Sequence, residues 1–210
     1  EHRRRAMEVY YGMITLMDKY IGQILDRLDA LGLTDSTLVV FTSDHGHLFG
    51  QHELLAKGAF HYEDLLRVPF IASQPGAIPQ GRVTDDLVSL VDLTPTMMDA
   101  VGQPVPAGLD GKSQWNAWRG GNAARDHVLV ENRHQPHTLH LLTRIDKRYK
   151  ITVYKNRDYG ELFDLEADPG EFNNLWNEPS AQALKQDLLA RIPRDSLTND
   201  PPPMPRVAVA

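Results

Sequence analysis

Thr37-Leu38-Val39-Val40-Phe41-Thr42 runs directly into Ser43-Asp44-His45-Gly46-His47. The first six residues form an unbroken apolar, β-branched run bounded by polar residues, the pattern of a strand covered on both faces. A helix precedes it. Met7, Tyr11, Ile14, Met17, Ile21, Ile24, Leu28 and Leu31 recur at steps of three and four, which marks one apolar stripe on a helix that should end near Leu31-Gly32 and pack on a neighbouring layer. Helix followed by buried strand predicts an α/β fold.

In open α/β sheets ligands bind outside the carboxyl ends of the strands, where loops present side chains from a rigid base. Asp44 and His45 stand at such an end. A carboxylate beside an imidazole offers one hard oxygen and one nitrogen, a pair able to hold a divalent cation when further ligands arrive from other loops. The same two residues also suit an end-of-strand turn former and a hydrogen-bonded loop histidine. Gly46 and Gly50 leave the following loop free to turn sharply. Lys57 follows twelve positions after His45, and Val68-Pro69-Phe70-Ile71-Ala72 reads as a second short strand with proline at its start.

Further along, Thr94 as N-cap with Pro95 at the first helical position predicts a short helix through Met97 and Met98 that stops before Gly102. Residues 104–124 are rich in Gly, Pro and Ala, with Trp115 and Trp118 as bulky anchors, and read as a crossing loop. A second unit follows. Its short strands are expected at His127 to Asn132, Thr138 to Thr143, Tyr149 to Tyr154 and Glu161 to Asp164, forming a small antiparallel sheet. A helix from Ser180, apolar along Leu184, Leu188, Leu189 and Ile192, is expected to lie on that sheet, with an extended tail at Pro201-Pro202-Pro203. The expected division is residues 1–124 and 125–210.

The composition excludes several functions. The 210 residues carry 22 Lys+Arg against 28 Asp+Glu, so the net charge of −6 does not suit a phosphate-tracking nucleic-acid surface. There is no run of about 18 apolar residues to span a membrane. Cysteine is absent, which removes disulfides, cysteine-ligated zinc and a cysteine nucleophile from this chain and leaves the compartment open. The start at Glu1-His2-Arg3 suggests the carboxyl-terminal part of a longer or processed polypeptide.

The stretch from Thr42 through Asp44, His45, Lys57 and Tyr62-Glu63 to Arg67-Val68-Pro69 resembles the sulfatase family of the alkaline phosphatase superfamily. The likeness is to members with an Asp-His metal pair, such as iduronate-type and choline sulfatases and phosphonate monoester hydrolases. Val91-Asp92-Leu93-Thr94-Pro95-Thr96 is similar to the family's helix start, and Gly108-Leu109-Asp110-Gly111 to one of its loops. Glu161-Leu162-Phe163-Asp164-Leu165, with Asp168-Pro169-Gly170-Glu171 and Asn174-Leu175, resembles the signature of its small carboxyl-terminal domain. The resemblance implies the latter part of an alkaline-phosphatase-like sheet flanked by helices, plus a small antiparallel sheet with a terminal helix. It further implies that Asp44 and His45 ligate the catalytic cation and that Lys57 contacts the sulfate or phosphoryl group.

His52 is the first choice among the loop histidines for lining a substrate pocket, with His47 and His61 either lining it or hydrogen-bonding in place. Tyr62, Glu63 and Arg67 are expected to orient the loop, the last two one helical turn apart. His134, His137 and His140 are expected to face solvent or a pocket edge. For the cation, oxygen ligands favour calcium first, with magnesium or manganese as alternatives, and one imidazole leaves zinc open. The family's formylglycine nucleophile is made from a Cys/Ser-x-Pro-x-Arg motif that this sequence lacks, so formylglycine is expected in an amino-terminal part of the enzyme outside these residues. Expected partners are that part and a sulfate-ester small molecule or sulfated carbohydrate. Phosphonate or phosphate ester hydrolysis, or a binding module without catalysis, are the alternatives.

Overall fold

In the computed structural model the described residues are 2–133 and 139–192. They form two compact units, Glu1–Lys57 with Glu63–Ala124, and Gly58–Tyr62 with Arg125–Ala210. The expectations for His134, His137, Thr138 and Pro201-Pro202-Pro203 lie outside the described residues.

The first unit opens with α1 (His2–Ala30). Its end is set by Gly32, whose φ of +65° is open to glycine without steric cost; Gly32 N–H donates to the Asp29 carbonyl and Leu33 N–H to the Leu28 carbonyl. The apolar stripe forms as the spacing predicts, yet no residue of α1 is buried, and only Met7, Ile21 and Leu28 of that stripe are half-buried. The expected packing layer is absent among the described residues. For the same reason β1 (Val39–Thr42) is half-buried at every position rather than covered: it pairs with one described neighbour, the antiparallel β4 (Phe70–Ser73), in the register Val39 with Ser73.

Between β1 and β4 a small hairpin, β2 (Leu48–Phe49) and β3 (Leu55–Ala56), is followed by the one-turn helix α2 (Glu63–Leu66). Helix α3 spans Leu93–Ala100, so Thr94 lies within it and is not its cap. The capping falls earlier because Leu90–Asp92 already coil: Asp92 accepts from the Ser89 backbone at 3.0 Å, from Lys112 N–H at 2.8 Å and from Gln114 Nε2 at 2.7 Å, which ties the loop around Gly111 to the helix. Within the expected crossing loop the structure forms a helical turn, α4 (Trp115–Trp118), with Trp118 against Phe70 at a ring separation of 5.6 Å.

The second unit holds a four-stranded antiparallel sheet in the order β5 (His127–Asn132), β6 (Leu141–Asp146), β7 (Tyr149–Tyr154), β8 (Gly160–Asp164). β6 starts and ends later than Thr138 to Thr143. Asp146 sets its end, because Asp146 Oδ1 accepts from the Arg148 and Tyr149 amides and closes the β6–β7 turn. One sheet face packs Leu142, Ile151 and Leu162 against Trp176 and against Leu188 of α5 (Gln182–Ala190), which starts two residues after Ser180. Burying this face is the main source of the unit's stability.

The opposite face is buried too, and mixes Val128, Leu141, Ile145 and Phe163 with polar side chains. Thr143 and Thr152 bond across β6 and β7 at 2.7 Å, and Lys150 pairs with Glu171, both side chains almost wholly enclosed. Glu161 accepts from the hydroxyls of Tyr159, Tyr154 and Tyr62 at 3.0, 3.2 and 3.4 Å. Burial beside that carboxylate pushes the phenols of Tyr62 and Tyr159 up to about 12. His140 is buried rather than exposed, its Nε2 2.6 Å from Glu131 Oε1, because β6 begins at the next residue and draws it inward.

Candidate active site

β1 delivers Asp44 and His45 at its carboxyl end. Asp44 Oδ1 accepts the His45 amide at 2.9 Å and the Ser43 hydroxyl at 3.3 Å, and the His45 amide holds the carboxyl below the usual carboxylate range. His45 Nδ1 lies 2.8 Å from the Gly46 carbonyl oxygen. A carbonyl only accepts, so Nδ1 is the donor in this contact, and in the neutral form of the ring the lone pair falls on Nε2. Nε2 lies 3.4 Å from Asp44 Oδ2 and 3.2 Å from Lys57 Nζ. Two neighbouring residues and a lysine twelve positions beyond His45 therefore meet at one nitrogen, with the Asp44 side chain 83% and the His45 side chain 39% exposed.

The hairpin explains the meeting. Leu48 pairs with Ala56, and continuing that register by one residue brings Lys57 level with His47. Gly46 fixes the other side of the loop: its N–H donates to the Leu65 carbonyl at 2.8 Å, and a β-carbon there would overlap the Asp64 carbonyl. Only glycine fits so close an approach. That closure orients the Gly46 carbonyl that selects the histidine tautomer, the kind of outer contact that fixes ligating imidazoles.

Asp44, His45 and Lys57 come together, and His52 is placed elsewhere, in the turn Gln51–Glu53 at the far end of the hairpin, half-buried with φ +52°. His47 is a packing residue, its ring 4.5 Å from Phe49 and 6.2 Å from Tyr10 of α1. His61 is a buried hydrogen-bonding residue, 2.6 Å from the Thr143 hydroxyl. The Arg67 amide donates to the Glu63 carbonyl and closes the α2 turn. Sequence reasoning missed the Gly46–Leu65 closure, whose sole signal was glycine next to the histidine.

The donor set fits half of a cation site: one carboxylate oxygen and one imidazole nitrogen side by side. Among the described residues no group of three or more His, Asp or Glu side chains is disposed to hold a metal ion. No helix among them is long and apolar enough to cross a membrane.

Comparison with known proteins shows the family. The sulfatase profile matches residues 1–103. An arylsulfatase of Clostridium perfringens is 34% identical over 178 residues, covering 83% of this chain and 36% of its own length. A solved complex of a protein with its substrate D-glucosamine-2-N,6-O-disulfate superposes with a TM-score of 0.79 at 27% identity, covering 85% of this chain and 37% of its own. The phosphonate monoester hydrolase of Agrobacterium radiobacter superposes equally well, TM-score 0.79 at 29% identity, over 87% of this chain and 39% of its own. The chain belongs to the sulfatase family of the alkaline phosphatase superfamily. It spans little more than a third of the length of the curated relatives it matches.

Proposed function

We propose that this chain supplies one side of a sulfate-ester hydrolysis site, in which Asp44 and His45 hold a divalent cation and Lys57 binds the sulfate group. The observation that carries this reading is the convergence of Asp44 Oδ2 and Lys57 Nζ on His45 Nε2, 3.4 and 3.2 Å away. Calcium is the first choice of ion, magnesium or manganese the alternatives. A bound dication there supplies charge neutralisation for the sulfate oxygens. Once His45 Nε2 serves as a ligand, Lys57 loses that acceptor and turns its three N–H donors to the anion. An ammonium placed on oxygens that gain negative charge during displacement stabilises the transition state more than the ground state.

The nucleophile of this proposal, formylglycine, comes from polypeptide outside residues 1–210. The substrate class is a sulfated small molecule or carbohydrate, supported by the disulfated glucosamine bound to a structural relative. In the enzyme assembled with that polypeptide, Lys57→Ala is expected to lower the turnover of an aryl sulfate at least about tenfold, about 1.4 kcal/mol in the barrier. Asp44→Ala is expected to abolish calcium binding by titration calorimetry. Near-normal turnover, or unchanged calcium affinity, overturns these roles. The equal likeness to a phosphonate monoester hydrolase supports a second reading, phosphonate ester hydrolysis at the same site. Faster turnover of a phenylphosphonate monoester than of the aryl sulfate would select it.

A further inference from the structure

The strand that ends next to Lys57, β3, has no core of its own. Leu55 is 63% exposed, Ala56 is exposed too, and at φ +67° Ala56 holds a conformation an alanine resists. Among the described residues β3 pairs with β2 alone, Leu48 with Ala56 and Phe49 with Leu55, so it lies where β2 puts it. β2 is held on two faces. Leu48 is wholly buried, while His47 and Phe49, which alternate with it along the strand, turn to the other side and meet α1. The Tyr10 ring lies 4.7 Å from Phe49 and 6.2 Å from His47, and those two rings lie 4.5 Å from each other. The Arg3 guanidinium rests on Gly50 at the hairpin turn, so close that a β-carbon there would overlap it. Arg3 and Tyr10 are two turns apart with half-buried Met7 between them, so a single face of α1 makes both contacts.

We propose that Tyr10 is a positioning residue for Lys57: its ring clamps β2 from the side opposite Leu48, and through the β2–β3 pairing it restricts where the ammonium can go. Lys57 Nζ reaches His45 Nε2 at 3.2 Å on a side chain of four torsions, and such a chain returns to one point only when its backbone is fixed. The clamp acts at the right rung. His47 stands level with Lys57 when the hairpin register is continued by one residue, and the ring separations lie in the range over which aromatic pairs attract.

The inference rests on the proposed role of Lys57, and its test separates the two. In the enzyme assembled with the polypeptide that supplies the nucleophile, Tyr10→Ala is expected to lower kcat/KM for an aryl sulfate about fivefold, and Tyr10→Phe, which keeps the ring, less than about twofold. In a Lys57→Ala background Tyr10→Ala should alter the rate less than about twofold, because the group it positions is gone. In this chain, Tyr10→Ala should raise hydrogen exchange in residues 47–57 and leave it unchanged in β7. The same fivefold loss in both backgrounds, an equal loss with Tyr10→Phe, or unchanged exchange at residues 47–57 overturns the proposal. So does a rise that extends into β7, which assigns Tyr10 a general structural role. If Lys57→Ala alone leaves hydrolysis intact while exchange at residues 47–57 still responds to Tyr10→Ala, the role of Lys57 fails and the clamp on the hairpin stands.

Discussion

The Gly46 carbonyl lies 2.8 Å from His45 Nδ1, and this contact decides which imidazole nitrogen keeps a lone pair. At His61, burial and the nearby Lys150 charge depress the pKa from 6.5 to about 4. Between those values the unfolded chain binds a proton that the folded chain does not. His61 therefore stabilises the fold above pH 6.5 relative to acid, and that contribution is lost as pH falls toward 4, about 3 kcal/mol over the whole window. The guanidinium midpoint of the wild type is expected to drop more between pH 7 and 4.5 than that of His61→Asn; equal drops would show that His61 stays unprotonated for another reason. In the sequence Asp44 and His45 stand out at a strand end and Lys57 enters through the family resemblance; the structure brings the three side chains together. The Lys150–Glu171 pair was not, because it depends on Lys150 facing inward in β7 and on a turn that holds Glu171 at φ +57°.

Helices and strands were legible where local chemistry decides them. Gly32 and Gly102, at φ +65° and +69°, end α1 and α3 where the spacing places them, and β5 and β7 match the sequence expectation residue for residue. Boundaries shifted where an aspartate at the element's own end takes nearby backbone amides, as Asp92 does just before α3 and Asp146 does as the last residue of β6. The family signature in the second unit proves to be element chemistry too: Asn174 Oδ1 accepts the Leu162 and Trp176 amides and its Nδ2 donates to the Gly160 carbonyl, tying β8 to the turn beyond it. Trp176 then lies directly over Gly160, where a β-carbon would clash with the face of the indole ring. Its Nε1 is pinned to the Asp158 carbonyl at 3.1 Å, and Lys185 sits over the ring at 4.7 Å, so the indole has little freedom to yield. Gly160→Ala is expected to cost about 1–3 kcal/mol by overpacking and to shift the tryptophan emission. Gly22→Ala, in α1 with open space around it, should instead leave stability unchanged or raise it by up to about 1 kcal/mol. A silent Gly160→Ala would mean that Trp176 is free to move.

Across the whole molecule, stabilisation is unevenly spread. β6 and β7 have hydrogen-bonded neighbours on both sides and a continuous apolar cluster under α5, whereas α1 has 29 residues and none buried. Isolated helices are marginal in water, and most helical stability in proteins comes from packing an apolar face. In α1 that face carries Tyr11, Met17 and Ile24, all exposed, and two glycines weaken the helix further. Hydrogen exchange on the chain by itself is therefore expected to be fast throughout the middle of α1 and slow in β6 and β7, with opening of α1 costing far less than global unfolding. Adding the polypeptide that supplies the nucleophile under the proposed function should slow exchange along Tyr11, Ile14, Met17, Ile21 and Ile24, since only burial of that stripe repays ordering the helix. Protection of α1 equal to that of β7 in the chain alone would show that its apolar face is already covered, and unchanged fast exchange in the mixture would show that the added polypeptide does not dock there.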